Sequence, residues 1–515
     1  MDQLSISYYV LMLFVISTLS ACSSVPLQKF ERKASYSLKN THQTHLAQSY
    51  QSQIKQHQGK SGFVLLGSGL DAFAARTELF RKAEKSIDVQ YYLVREDTTG
   101  YLFYRSLREA ADRGVRVRIL LDDQHLAKHS RRLAAFDLRH PNIEVRVFNP
   151  YSRKAPRFLQ TLFRLGKITR RMHNKSIIID NKITIVGSRN IGNEYSEAEA
   201  KRVYSGMEVL AVGPIATYVS ASFDRYWNFH KTIKVVNLAK PAKIAFEQTK
   251  SYFENDAMVK HFLGTLKTSP LVKQIRNNHL DFKWAKATVI QDPPEKIIRQ
   301  RKPKGDYLNS TDLAPYIHTS SRDILIISPY FVPRQEGLAF FKQLINRGIN
   351  VSVLTNSYAS TDVKVVNAHY AKYRKALLKM GVHLYEFKSA EGSVNFLKRA
   401  GRLVNRPTKA GLHAKLLSFD QENLYIGSMN MDPRSLYENT EIGILISSKQ
   451  ISLDMVKWFD KHLDRLAYHV ELEGNKVIWE DHADNGKIYR VEPNIAPSQR
   501  VWMNLLKVLP VEKQL

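Results

Sequence analysis

HNKSIIIDNKITIVGSRN, residues 173–190, and HAKLLSFDQENLYIGSMN, residues 413–430, follow one template. Each reads His-x-Lys, four residues, Asp, six residues, Gly-Ser-x-Asn, and the copies stand 240 positions apart. A pattern this long does not recur at matched positions by chance, so the chain carries a duplicated unit.

The residue types point to phosphate chemistry. On an extended segment alternate side chains share a face, so His173 and Lys175 point together, as do His413 and Lys415. A phosphodiester carries a negative charge that must be neutralised as a nucleophile approaches. Two ammonium groups supply this without a metal, and imidazole serves as nucleophile or proton carrier near neutral pH. Asn190 and Asn430 offer amide donors to the same oxygens, and the Ser188 and Ser428 hydroxyls are further candidates. No cofactor is expected. His125 and His129 have the i, i+4 spacing of a zinc pair but lack a third ligand, so no metal site is expected either.

The flanks repeat as well. SIDVQYYLV (86–94) reads as a strand, a helical stretch ends at Arg113-Gly114, and VRVRILLDD (115–123) reads as a second strand. In the second half DILIISPYFV (323–332), a stretch ending at Arg347-Gly348, and INVSVLTN (349–356) stand in the same order. Tyr330 follows Tyr92 by 238 positions and Gly348 follows Gly114 by 234. Strand, helix, glycine C-cap, strand is a βαβ unit with a right-handed crossover. Asp122 and Asp123 close a predicted parallel strand, where α/β active sites gather, and they suit the cap of a following helix equally well.

Residues 8–19, YYVLMLFVISTL, are too few for a membrane span of about 20 residues but suit the core of a secretory signal. They run into Leu19-Ser20-Ala21-Cys22-Ser23, which resembles a bacterial lipoprotein box with Cys22 as the lipidated residue, although the first seven residues hold Asp2 and no Lys or Arg. The expected address is the cell envelope, as a membrane-anchored lipoprotein facing the periplasm. Cys22 is the single cysteine, which excludes a disulfide scaffold and a cysteine-rich zinc module. The chain has 515 residues with Lys+Arg 77 against Asp+Glu 48, a net charge of +29, so its partners should be anionic. Two basic stretches precede the motifs, 151–172 and the weaker 389–410. Phe158, Leu159, Leu162 and Phe163 in the first are spaced as one helical face, suited to lying in anionic lipid.

The paired motifs identify the chain as a member of the phospholipase D superfamily, whose signature is two HKD motifs. DAFAAR (71–76), DVQYYLV (88–94), RGVRVRILLDD (113–123), RRMHNKS (170–176) and NIGN (190–193) further resemble the cardiolipin synthase C-type branch of Gram-negative bacteria. The resemblance implies an α/β fold of two pseudo-equivalent domains, each a β-sheet flanked by helices, sharing one interfacial active site. It also implies transfer of a phosphatidyl group through a phosphohistidine onto phosphatidylglycerol, making cardiolipin; the motif does not encode the acceptor, and the alternatives are hydrolysis to phosphatidic acid and, ranked below it, an HKD-type nuclease. His173 would be the nucleophile and His413 the acid/base, an order the sequence symmetry permits to be reversed. Lys175 and Lys415 complete the catalytic set with Asp180 and Asp420, the last two shaping the motif loops. Glu208 and Glu441, each opening an apolar strand, would orient the histidine rings. Phospholipids and an anionic membrane surface are the implied partners, and nucleic acid is not expected. The corresponding segments are a signal peptide (1–21), a polar tether (22–60), two domains (61–240 and 311–515) and a linker between them (241–310).

Overall fold

The computed structural model describes residues 33–126, 129–153, 168–198, 202–243, 257–298, 312–389 and 409–512, together with residues 30, 156, 157, 160 and 161. Cys22, the signal segment and the apolar positions of the stretch before the first motif (Phe158, Leu159, Leu162, Phe163) lie outside these residues.

Both halves share one eight-strand arrangement, which the second half extends by β19 (Lys476–Asp481) and β20 (Lys487–Tyr489). The first uses β1 (Ser61–Leu66), β2 (Ser86–Tyr91), β3 (Arg116–Asp122), β4 (Ile143–Phe148), β5 (Ser176–Ile179) and β6 (Ile183–Gly187). β7 (Arg202–Ser205) stands apart from it, and β8 (Glu208–Val212) and β9 (Thr232–Lys234) complete it. The order is β1-β8-β6-β5-β2-β3-β4-β9. The second uses β10 (Lys283–Gln291), β11 (Asp323–Ile327), β12 (Asn350–Asn356) and β13 (His383–Phe387). β14 (Lys409–Leu412) stands apart, and β15 (Leu416–Phe419), β16 (Asn423–Gly427), β17 (Ile442–Ser447) and β18 (Ala467–Glu473) follow. Their order, β10-β17-β16-β15-β11-β12-β13-β18, repeats the first strand for strand.

The local reasons are those of the repeat. β2-β3-β4 and β11-β12-β13 run parallel. Gly114 and Gly348 end the crossover helices with φ of +93° and +77°, where a Cβ would be strained. The central strands are buried along their whole length, as parallel strands covered on both faces are. The two sheets are also one: β1 pairs antiparallel with β10, Ser61–Phe63 against Ala285–Lys283. One apolar cluster accordingly runs through both halves, joining Val186, Val209 and Ala211 to Leu412, Ile442 and Ile444.

Two expectations of segmentation are corrected. Residues 33–60 are no free tether: Ser37 N–H donates to Asp224 (2.8 Å), and α1 (His45–Gln56) buries Leu46 and Tyr50. Those two apolar residues, one helical turn apart, were hidden in Gln- and Ser-rich sequence, and Tyr50 meets the Phe282 ring edge-on at 5.2 Å. Nor is 241–310 all linker. α3 (Ala257–Thr268) and α4 (Pro270–Arg276) pack on α2 (Gly69–Lys82), where Ser269 donates to Asp71 (2.6 Å). β10 is the first strand of the second sheet. Among the described residues no helix is long and apolar enough to cross a membrane.

Candidate active site

Each motif segment is docked on the opposite half. The His173 N–H donates to the Thr440 carbonyl (2.9 Å) and the Thr440 N–H to Arg171 (2.9 Å). Symmetrically, β14 pairs with β7, and the His413 N–H donates to the Ser205 carbonyl (2.7 Å). The last residue of each middle parallel strand clamps the residue before the histidine. Asp122 accepts from the Met172 N–H (2.8 Å) and pairs with buried Arg171 (3.0 Å). Asn356 accepts from the Leu412 N–H (2.9 Å) and donates to its carbonyl (3.0 Å). The open choice for Asp122 thus resolves as both: it caps the turn at Gln124 (2.8 Å) and positions the motif. Asp123 instead holds Arg153 (2.6 Å) and the Tyr151 N–H (2.6 Å) of the basic stretch.

His173 and Glu441 meet across the interface, Nδ1 lying 2.9 and 3.1 Å from the two carboxylate oxygens. The Ser428 and Ser435 hydroxyls also donate to that carboxylate. Burial, then the Lys175 and Lys415 charges, hold His173 well below the usual imidazole range. Burial pushes Glu441 up to about 7, opposed first by Lys175. A neutral His173 donating from Nδ1 keeps its lone pair on Nε2, the state of a nucleophile.

The assignment of Glu208 is corrected. In the sheet Gly187 pairs with Glu208 but Gly427 pairs with Gly443, and Ser188 and Ser428 donate their N–H groups to Met207 and Ile442. The residue equivalent to Glu441 is therefore Gly206, two positions before Glu208. Glu208 binds buried Arg76 and lies 3.5 Å from Arg189, with no bond to His413. A Cβ on Gly206 would sit 2.7 Å from Arg189 Cγ and 3.0 Å from Ser188 Oγ, so no acid fits there. His413 Nδ1 instead lies 3.2 Å from the Lys415 ammonium and accepts from it, which places the ring proton on Nε2, the state of an acid.

Lys175 and Lys415 are buried and donate to the carbonyls of their own histidines, and among the described residues neither has a carboxylate within ion-pair distance. Burial brings Lys175 down to about 7, and burial and the Lys175 charge hold Lys415 well below the usual lysine range. Two buried ammonium groups without an ion-paired carboxylate suit an anionic group such as a phosphodiester. Asn190 and Asn430 each bury an amide oxygen without a protein partner. The Asn190 amide otherwise meets the Tyr195 hydroxyl (3.2 Å), which can donate or accept, so the amide is free to turn its N–H₂ to an anion.

Other expected site residues lie elsewhere. The Ser188 and Ser428 hydroxyls are fully buried and accept from Met207 and Ile442 N–H (3.0 Å each); Ser188 ties strands, whereas Ser428 also donates to Glu441 and so holds the partner of His173. Asp180 and Asp420 sit in the β5–β6 and β15–β16 turns with φ of 50° and 53°. Their carboxylates accept from the N–H groups of residues 84–86 and 321–323, so they shape the loops and touch no reacting group. His129 pairs with Glu96 (2.6 Å), while the His125 ring meets Tyr92 edge-on at 5.2 Å.

Several participants were not singled out from the sequence. Tyr92 meets the His173 ring at 5.1 Å, and Tyr195 and Tyr204 meet the His413 ring at 5.1 and 5.5 Å. Asn356 was legible in principle: it follows Asp122 by 234 positions, the same offset as the two helix-capping glycines.

A doubled sheet with motifs crossed over a shared anion site defines a phospholipase D-like class. The chain belongs to the family described as "Cardiolipin synthase, PLD-like domain", whose model matches residues 77–227 and 313–463. Cardiolipin synthase C of Escherichia coli (strain K12) is 37% identical over 463 residues, 89% of this chain and 97% of that one. A cardiolipin synthase of Geobacillus kaustophilus is 27% identical, over 74% of this chain and 62% of its own. Among solved structures, the phosphatidylserine synthase of Haemophilus influenzae Rd KW20 shares the fold with a TM-score of 0.54 at 12% identity, covering 88% of this chain and 96% of that one.

Proposed function

We propose that the protein is a phosphatidyltransferase that makes cardiolipin from phosphatidylglycerol through a covalent histidine intermediate. Lys175 and Lys415, with Asn190 and Asn430, receive the phosphodiester. His173 Nε2 attacks phosphorus, the P–O bond to the departing glycerol breaks, and the His413 Nε2 proton goes to that alkoxide while the Lys415 ammonium passes a proton to His413 Nδ1. His413, now neutral with its proton on Nδ1, takes the proton of an incoming phosphatidylglycerol hydroxyl at Nε2 and returns the Nδ1 proton to Lys415, while the hydroxyl oxygen displaces His173. Two phosphatidylglycerols thus give one cardiolipin and one glycerol, and both histidines return to their starting states. The observation that carries this reading is the unequal pair of histidines, His173 on Glu441 and His413 on Lys415, over two buried ammonium groups. The relatives named cardiolipin synthase support the substrate class.

We place the protein on an anionic membrane surface of the cell envelope, facing the periplasm and held by lipidated Cys22. Purified protein in phosphatidylglycerol vesicles, with and without phosphatidylethanolamine, followed by lipid mass analysis, tests the reaction. Cardiolipin and glycerol are expected in equal amounts. Phosphatidic acid as the sole product would replace transfer by hydrolysis, and phosphatidylethanolamine consumed with phosphatidylglycerol would make it the donor.

A further inference from the structure

The last helix, α5 (Pro497–Val508), buries only one side. Met503 and Leu506 pack against Tyr358, Ala368 and Ile495. Val501, Trp502, Leu505, Val508 and the following Leu509 are 42–79% exposed. Their spacing of i, i+1, i+4, i+7 and i+8 confines them to an arc of about 120°. Twelve large apolar side chains are exposed among the described residues and five of them stand here, so this is a patch rather than ordinary surface scatter. The helix has no acidic residue and carries Arg500 and Lys507. It packs on the helix Lys364–Tyr370, whose Asn367 donates to the Asn356 carbonyl (2.8 Å), and Asn356 clamps the residue before His413. The helix is thus linked, through Asn367 and Asn356, to the segment that carries His413.

We propose that this face docks the enzyme on an anionic phospholipid bilayer, laying the 501–509 stripe at the acyl boundary; the proposal rests on the phospholipid-substrate reading. A net charge of +29 opposes pairing with a second copy and suits an anionic surface. Trp502, with an apolar body and a polar N–H, fits that interface. A helix of about 18 Å has the length and the apolar stripe to lie flat in that interface.

The test uses the full chain bound to phosphatidylglycerol/phosphatidylethanolamine vesicles doped with lipid brominated on its acyl chains. Tryptophan emission should be quenched in the wild type, and Trp502→Phe should remove more than half of that quenching. In parallel, Val501→Ser/Leu505→Ser/Val508→Ser should lower turnover on vesicles about tenfold while leaving turnover of a soluble short-chain phosphatidylglycerol within twofold. Equal quenching in wild type and Trp502→Phe, or an equal loss on both substrates, overturns the docking. Quenching by Trp502 without cardiolipin formation leaves the docking standing and sinks the proposed reaction instead.

Discussion

Glu441 and Glu208 look alike in sequence and should behave oppositely. Glu441→Gln should lower kcat about 10²–10⁴-fold with little change in Tm, because it removes the group that fixes the His173 proton on Nδ1. Glu208→Gln should lower Tm, since it strands buried Arg76, while activity per folded molecule stays within a few-fold. Steady-state kinetics with thermal unfolding separates the two, and a Glu208→Gln enzyme that is stable but inactive would restore the symmetric assignment. The pH profile has two limbs. Glu441, pushed up to about 7 by burial, is protonated below that and then no longer accepts from His173, so kcat/KM should fall towards acid. Lys175, pushed down to about 7 by burial, loses its charge above that, so kcat/KM should fall towards base. These groups face each other and titrate as a set, giving a bell centred near neutrality. Glu441→Gln should abolish the acid limb. Lys415→Met should abolish turnover yet raise Tm by a degree or more, because it removes a buried ammonium whose desolvation outweighs the more distant charges of Glu441, Asp362 and Asp432. A clear drop in Tm would mean that the lysine is structurally required.

At the scale of elements, the signature aspartates belong to the hairpins. Asp180 is fully buried and accepts three backbone N–H groups, so Asp180→Ala should destabilise the fold by about 2–4 kcal/mol. Asp420 is less enclosed, and Asp420→Ala should cost less. Denaturant unfolding measures both, with activity per folded molecule largely retained. The repeat was legible because it rests on local rules: alternating strands, a glycine cap with positive φ, and a histidine two residues before a lysine. What was not legible depends on register. Glu208 and Glu441 each open an apolar strand, and only strand pairing shows that the first has slipped by two residues. Ser188 and Ser428 read as phosphate ligands because the motif gives composition but no direction; Ser188 turns to a neighbouring strand, and Ser428 spends its proton on Glu441. α1 escaped notice since two apolar residues suffice to hold it once Phe282 covers them.

For the whole molecule, anchoring and chemistry are separable. Cys22→Ser should leave an unlipidated chain that salt removes from membranes more readily than the wild type, while the docking helix keeps part of it bound. Fractionation before and after a high-salt wash measures this, and identical retention would assign the hold to an uncleaved N-terminal segment.

The glycine at 206 has a consequence for how such a site arises. Two identical subunits meeting about a twofold axis would bear the same residue wherever the axis repeats it. One gene could then not give Glu to one imidazole and Gly to the other. Joining the halves in a single polypeptide lifts that restriction, because positions 206 and 441 are written by separate codons. The division of labour between attacking and proton-carrying histidine can thus be inherited in the covalent sequence, where an assembly of equals would have to break its symmetry anew at every turnover.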